Sequence, residues 1–382
     1  MIDLKPENVA RYLRLAFGPG AELADLGAIG TLDKQGIKRF GYGKPLLVRF
    51  TVDGEPREGV LSVMRGDKYG HQFYWDRAAI LMFQFETSAL LPRHVRPMGL
   101  GYVDAQNRLI PVAEPREFFI MNEKLTGYDY FLDLERISGG DYRPADRDMA
   151  RSLARWLAEI HAQKKNDPDL YYRHLRNLLG ASECIMGLVD EAFPHPCPFV
   201  SDGDFVRLEK RLIDWRWRLR GFAHRLSAVH GDVHPWNILV EGLVDGPDKE
   251  SREFSVLDRS RGEWGEPAGD LASLAANYLL FGLLHNPDGA RPGPLFQGPF
   301  AELWDILFTE YLERSGDQEA LRALAPFFVF RGLVIVSPEW YPNHPETVRA
   351  ALVRFIFRVL EDDVFDWRNV CRYIEECDGG QA

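Results

Sequence analysis

Apolar and polar positions along the chain fall into two stretches of different period. From about Glu22 to Val112 short apolar runs broken by glycine give the pattern of strands. Leu46 to Val52 alternates as a strand, Asp53-Gly54 carries the letters of a tight hairpin turn, and Gly59 to Met64 is the returning strand. Tyr74 to Phe85 reads as a helix, and Phe118-Phe119-Ile120-Met121 as a further short strand. From Ala145 onward long helices take over. Met149, Leu153, Trp156, Leu157 and Ile160 recur at helical spacing up to His161-Ala162. Arg207 to Arg225 sets Leu212, Trp215 and Leu219 on one side, with Arg211, Arg216, Arg218 and Arg220 on a basic side expected to be solvated. Apolar helices are predicted over Leu271–Leu284, Phe300–Tyr311, Ala320–Val336 and Thr347–Leu360, with a Pro/Gly-rich loop over His285–Pro299. Met1 to Phe17 reads as a short amphipathic helix, because Asp3, Lys5, Glu7 and Arg11 interrupt any signal-peptide core.

Composition narrows the classes. A chain of 382 residues, 46% hydrophobic, is long enough for two substantial cores. Acidic residues exceed basic ones by 57 to 46, a formal charge of −11, which argues against a nucleic-acid partner and is compatible with a cationic or neutral substrate. The longest apolar run, Leu271–Leu284, contains Asn277 and is too short to span a bilayer, so no membrane partner is expected. Cys184, Cys197, Cys371 and Cys377 form no C-x-x-C pair and no zinc spacing, as expected of reduced thiols in a cytoplasmic protein.

Candidate chemistry concentrates between Ala228 and Leu274. Val229-His230-Gly231-Asp232-Val233-His234-Pro235-Trp236-Asn237 reads as a polar loop that closes into the strand Ile238-Leu239-Val240. Phe254, Val256 and Leu257 read as its hairpin partner across the turn-rich segment Glu241–Glu253. Such a hairpin would gather Asp232, Asn237 and Asp258, a set of hard oxygen ligands suited to Mg²⁺ with one carboxylate left as a base. His230 and His234 stand four apart, but Gly231 and Pro235 oppose the helix that a zinc pair would need. Asp270, just ahead of an apolar helix, has the position of an N-cap.

The order Asp-x-x-x-x-Asn and then a strand-borne Asp is that of a phosphoryl-transfer site. Together with Asp258, Gly265, Pro267, Asp270, Leu271 and Ala272, which match Asp-(x)6-Gly-x-Pro-x-x-Asp-Leu-Ala, these residues resemble the aminoglycoside phosphotransferase and choline kinase-like family. The resemblance implies an α+β, bilobal protein kinase-like fold. A small antiparallel, nucleotide-binding N-lobe would cover residues 1–121, a hinge 122–127, and a larger helical C-lobe 128–382. It further implies ATP- and Mg²⁺-dependent transfer of the γ-phosphate to a hydroxyl of a small molecule. Asp232 would be the catalytic base, Asn237 and Asp258 the Mg²⁺ ligands and Asp270 a brace for the catalytic loop, with His230 holding that loop by hydrogen bonds.

Main-chain groups of Glu123 and Leu125 would meet the adenine edge. Gly41, Gly43 and Lys44 would cover the phosphates, or serve only as a turn. The chain departs from the family at Ser62, which stands where a strand lysine is expected, with Arg65 and Lys68 just beyond it. A second departure is Arg77, in the stretch where that lysine's glutamate partner belongs. These departures keep two alternatives open: a nucleotide-binding pseudokinase with an interaction role, and a transferase that moves another part of the nucleotide, such as AMP. Trp236, Arg259, Glu263, Trp264 and Glu266 are the candidate acceptor contacts, followed by Trp340 and Tyr341. The same catalytic letters serve aminoglycoside, choline, homoserine and methylthioribose acceptors.

Overall fold

The computed structural model describes residues 5–28, 45–66, 74–112, 117–242, 253–286 and 293–376. Gly41, Gly43, Lys44, Lys68 and Cys377 lie outside the described residues. The chain divides into two compact units, Met1–Gly127 with Ser255–Ser260, and Tyr128–Phe254 with Arg261–Ala382.

The first unit is built on an antiparallel sheet. Its elements are α1 (Pro6–Phe17), β1 (Ala21–Ala28), β2 (Leu46–Val52), β3 (Glu55–Val63), α2 (Tyr74–Thr87), β4 (Pro97–Val103), β5 (Leu109–Ile110) and β6 (Glu117–Glu123), and the strands lie in the order β1-β2-β3-β6-β4-β5. Asp53 and Gly54 both take positive φ (50° and 86°), the backbone that lets a two-residue turn follow the twist of β2 and β3. Alternation along β6 sorts the two cores, since successive side chains leave opposite faces of a strand. Phe119 and Met121 pack with Val9, Tyr12 and Leu13 of α1 and with Phe50 of β2. Ile120, between them, packs with Ala78 and Leu81 of α2 and with Tyr102 of β4. Ser62 pairs directly with Ile120 and so shares the face that α2 covers.

The second unit is mostly helical. It comprises β7 (Tyr128–Asp129), α3 (Phe131–Ser138), α4 (Pro144–His161), α5 (Pro168–Gly180), α6 (Ile185–Ala192), α7 (Asp202–Leu219), β8 (Ser227–Ala228), β9 (Ile238–Val240), β10 (Phe254–Val256, where the chain returns to the first unit), β11 (Trp264–Gly265), α8 (Ala268–His285), α9 (Pro299–Ser315), α10 (Leu324–Val336), α11 (Glu346–Arg358) and α12 (Cys371–Ile374). β9 pairs antiparallel with β7, and Glu241 N–H donates to the Glu253 carbonyl (2.9 Å), as a hairpin over 241–253 requires. α8 is buried on every side from Leu271 to Leu283, so its apolar residues form no stripe but fill the middle of the unit. α4 lies along α9, joined at its surface by Arg147–Glu302 and Arg155–Glu310 ion pairs (both 2.5 Å).

Most expected elements appear within a few residues of their predicted ends, with three corrections. α7 starts at Asp202, not Arg207, because Ser201 and Asp204 form a reciprocal capping box ahead of the apolar positions. Its basic side is not merely solvated. Arg218 pairs with Asp363, Arg211 Nε donates to the Leu360 carbonyl (3.3 Å), and the Arg220 guanidinium lies over the Tyr172 ring (3.8 Å). The helix expected over Ala320–Val336 is two pieces, a 3₁₀ turn at Gln318–Arg322 and then α10, whose first turn holds Pro326, a residue without an N–H to continue an earlier helix. Among the described residues no helix is long and apolar enough to cross a membrane.

Candidate active site

The loop from His230 to Asn237 is held in shape by one carboxylate. Asp270 accepts the backbone N–H of His230 on Oδ2 and that of Gly231 on Oδ1, both at 2.7 Å, and its Oδ2 also meets His161 Nε2 at 3.2 Å. The N-cap expectation for Asp270 is therefore corrected: Pro267 flanks the start of α8, and the Asp270 side chain turns away to the loop. Burial by itself would raise the Asp270 pKa; the hydrogen bond and charge of His161, with His230, outweigh it and hold the carboxylate below its usual range. Gly231 has φ of 90°, and a Cβ there would sit 3.2 Å from Arg261 Cβ, so the turn into Asp232 needs glycine.

Beyond Gly231 the loop closes on itself. His230 Nδ1 accepts Asp232 N–H (3.2 Å), and His234 Nδ1 accepts Trp236 N–H (3.3 Å). Asn237 N–H donates to the His234 carbonyl (2.8 Å), and Asn237 Nδ2 to the Asp232 carbonyl (3.0 Å). This last bond fixes the amide, turning Asn237 Oδ1 away from that carbonyl. Both imidazoles are thus occupied in holding loop backbone. Among the described residues no three His, Cys, Asp or Glu side chains group as a metal site.

Asp232 is strongly perturbed by its surroundings. It is 4% exposed, and burial alone would push its pKa up. Against this, Arg331 of α10 binds Oδ1 and Arg261 Nε stands 3.3 Å from Oδ2. These guanidiniums, with His234, hold the carboxyl well below the usual carboxylate range. Asp232 is therefore a carboxylate at any physiological pH, with a guanidinium beside each oxygen.

In the first unit Asp258 takes a left-handed backbone (φ 57°) and its Oδ1 accepts Gln84 Nε2 of α2 at 2.9 Å. The next residue, Arg259, is 1% exposed and donates from Nη1 to the Thr87 carbonyl (3.0 Å). Both residues are thus tied to the last turns of α2, and Arg259 is corrected from an acceptor contact to a buried anchor. Glu123 uses its N–H on the Arg96 carbonyl (3.1 Å), and its carboxylate accepts Arg96 N–H (3.1 Å). The Leu125 carbonyl lies 3.5 Å from Lys124 Nζ.

The other candidate contacts separate by burial. Glu266 is 1% exposed and receives Arg225 (2.7 Å) and Tyr171 Oη (2.7 Å), so it belongs to a buried network and does not face an acceptor. Trp236 is half-buried and stacks on Phe131 with centroids 5.1 Å apart. Trp264 is half-buried, with Lys165 Nζ 5.2 Å from its ring centroid. Glu263 is also half-buried, and its carbonyl accepts Val229 N–H (3.1 Å). Trp340 and Tyr341 are buried.

A model of the family described as "Phosphotransferase enzyme family" matches residues 100–291, a span of half of the 382-residue chain that contains the whole loop and Asp270. The chain belongs to this phosphotransferase family. Among solved structures it is similar to a putative fructosamine-3-kinase from Haemophilus somnus, at 12% identity over 93% of this chain and 97% of that one, with a TM-score of 0.49. It is also similar to an ethanolamine kinase from Plasmodium vivax (14% identity, 93% and 80% covered, TM-score 0.45). A choline kinase from Cryptosporidium parvum is a third (9% identity, 93% and 87% covered, TM-score 0.41). No curated protein sequence matches the chain.

For a phosphotransferase of this family, the residues that sequence reasoning missed are those that reach the motif from afar. Arg331 had one visible signal, a lone charge inside the apolar run Leu324–Val336, where a buried cation needs a partner. Arg261 lies three residues past Asp258, and Gln84 is a polar residue on the covered side of α2; neither carries a motif letter.

Proposed function

We propose that this phosphotransferase transfers the γ-phosphate of ATP, with Mg²⁺, to a hydroxyl of a small molecule. The observation that carries the proposal is the loop itself: Asp270 fixes His230 and Gly231, and Asn237 Nδ2 fixes the Asp232 carbonyl, so that Asp232 and Asn237 are set on one rigid turn. The Asp232 carboxylate would orient the acceptor hydroxyl and receive its proton, as the bond from that oxygen to the γ-phosphorus forms and the bond to the β–γ bridging oxygen breaks, releasing ADP. A positioned base of this kind contributes about 10²–10⁴-fold. Asn237 Oδ1 and Asp258 would hold Mg²⁺, two hard oxygens for an ion that takes its remaining ligands from phosphates and water. When bound, Mg²⁺ offsets the charge on the β- and γ-phosphates. The Glu123 carbonyl and the Leu125 N–H are the main-chain groups that would meet adenine.

The test is MgATP turnover by the purified chain against a library of hydroxyl compounds, with products read by mass spectrometry and Asp232→Asn run in parallel. We expect an acceptor that gains one phosphate with the wild type and reacts at least about 100-fold more slowly with the variant, while nucleotide affinity is kept. A second reading rests on Ser62, which presents a short hydroxyl on the α2-covered face of β3, where the family's lysine is expected. A nucleotide-dependent rise in melting temperature with no product would select binding without transfer. AMP on an acceptor would select nucleotidyl transfer.

A further inference from the structure

The segment that returns to the first unit is tied to the end of one helix. Asp258 Oδ1 accepts Gln84 Nε2 at 2.9 Å, and Arg259 Nη1 donates to the Thr87 carbonyl at 3.0 Å; Gln84 and Thr87 stand three apart in the last turn of α2. Upstream, Val256 forms a parallel bridge with His94, so the turn is gripped on both sides of Asp258. Asp258 itself keeps a left-handed backbone, φ 57°, and its carbonyl accepts Ser260 N–H at 3.1 Å. A residue with a side chain stays in that region only where its surroundings over-determine it. Gln84 is the unexpected member of this set. It follows Leu81 by three residues on the side of α2 that packs Ala78 and Leu81 with Tyr102 and Ile120, and it is 8% exposed. An apolar residue would suit that side, since a buried amide costs stability unless it is hydrogen-bonded. Among the described residues, Asp258 is the hydrogen-bond partner of the Gln84 side chain.

An amide in this place does what a charged side chain could not. An ionised carboxylate accepts and cannot donate, so the NH₂ of Gln84 is the group that faces Asp258. It occupies one of the roughly four lone-pair sites of the carboxylate, fixes its direction and brings no net charge. A lysine or arginine here would compete with a dication for the same anion, and a glutamate would repel the carboxylate it holds. Ser62, on β3, carries no charge with which to anchor α2 from the strand. We propose, resting on the assignment of Asp258 to Mg²⁺, that Gln84 is a positioning residue for the metal: its NH₂ orients the carboxylate that would bind the ion, and it couples α2 to the metal-bearing turn. Hydrogen-bond partners of metal ligands act in this way, by fixing the ligand before the ion arrives. The helix is then anchored to the metal segment from its last turn, and a serine at position 62 is compatible with phosphoryl transfer.

The experiment measures metal affinity directly, with Mn²⁺ as the probe for Mg²⁺ because its free form is counted by electron paramagnetic resonance. The full chain is titrated with Mn²⁺ in the presence of saturating ADP. ADP binding in EDTA, followed by calorimetry, reports the fold and the nucleotide site without metal. Gln84→Met keeps the length of the side chain and removes the donor; Gln84→Asn keeps the amide but draws it back by one methylene, a gentler change that serves if the first variant folds poorly. Asp258→Asn is the reference for loss of the ligand. The expected result is a Kd for Mn²⁺ raised about tenfold or more in Gln84→Met, with Gln84→Asn between it and wild type, and ADP affinity in EDTA within about twofold of wild type throughout. Mn²⁺ affinity lost in Asp258→Asn but within about twofold of wild type in both Gln84 variants overturns the positioning role and leaves Asp258 as a metal ligand. A Gln84 variant that weakens ADP in EDTA as much as it weakens Mn²⁺ also overturns it, since the amide would then support the fold and not the metal. Mn²⁺ bound equally by wild type and Asp258→Asn, or by neither, overturns the assignment of Asp258 to Mg²⁺ and the inference with it.

Discussion

Substituting Asp270 by Asn changes one oxygen for an NH₂ and removes one charge without changing shape. In the wild type the two carboxylate oxygens accept three donors, the N–H groups of His230 and Gly231 at 2.7 Å and His161 Nε2 at 3.2 Å. Asn offers a single acceptor oxygen. Whichever way the amide sits, its NH₂ opposes the N–H of either His230 or Gly231, and Asp270 is 1% exposed, so water does not replace the lost partner. A hydrogen bond to a charged group contributes about 1.5–3 kcal/mol, and an unpaired buried donor costs about 1–3 kcal/mol. We expect Asp270→Asn to destabilise the second unit by about 2–4 kcal/mol at pH 7. The local readout is hydrogen exchange at the amides of His230 and Gly231, whose protection should fall by about 30- to 1,000-fold, since about 1.4 kcal/mol is one factor of ten. The sign with pH follows from the depressed native pKa: the stabilisation is present above the unfolded value, about 3.9, and is lost as pH falls through the lower native value. The gap between wild type and variant should thus be full at pH 7 and close in acid. Unchanged protection at both amides, with a denaturation midpoint within about 0.5 kcal/mol of wild type, would refute the bracing role.

Two further outcomes follow from other sites. Asp129, half-buried on β7, has its pKa raised to about 6 by burial, so its stabilising effect is present below about pH 4 and lost as pH rises through about 6; Asp129→Asn should raise stability by about 2–3 kcal/mol at pH 7 and by nothing at pH 3.5, read by urea denaturation at both values. At Gly187 a Cβ would lie 2.0 Å from the Ser182 carbonyl oxygen, which is backbone and cannot swing aside; Gly187→Ala should cost about 1–3 kcal/mol, and a melting temperature equal to wild type would contradict that packing.

What the sequence made legible was local. The hairpin at Asp53-Gly54, the helix through Met149 to Ile160 and the spacing of Asp232 to Asn237 are each set within a few residues, where dihedral preference and periodicity act directly. The fold class came from the resemblance carried by the motif residues, and the change of period along the chain agrees with it. Asp270 was identifiable from its motif, although a lone Asp ahead of an apolar helix suggested a cap; the two readings differ only in where the carboxylate turns, which depends on a loop some forty residues earlier. The partners of Asp232 were not legible. Arg331 lies 99 residues away, in a run whose apolar letters describe burial but not what a single buried charge will meet. Arg259 and Glu266 misled for the converse reason: close in sequence to the motif residues Asp258 and Asp270, they are spent on Thr87 and on Arg225 and Tyr171.

The return of residues 255–260 to the first unit has a consequence for biosynthesis. The segment supplies Val256 to a bridge with His94, Asp258 to Gln84 and Arg259 to Thr87, so the part of the chain that leaves the ribosome first lacks its last pieces until Ser260 has been made. A nascent chain stalled before Ser255 should therefore expose the underside of α2 to proteases and chaperones, and one stalled well past Ser260 should protect it. Cutting the chain at Gly127 would leave the first unit without residues 255–260, because the polypeptide passes between its two units more than once.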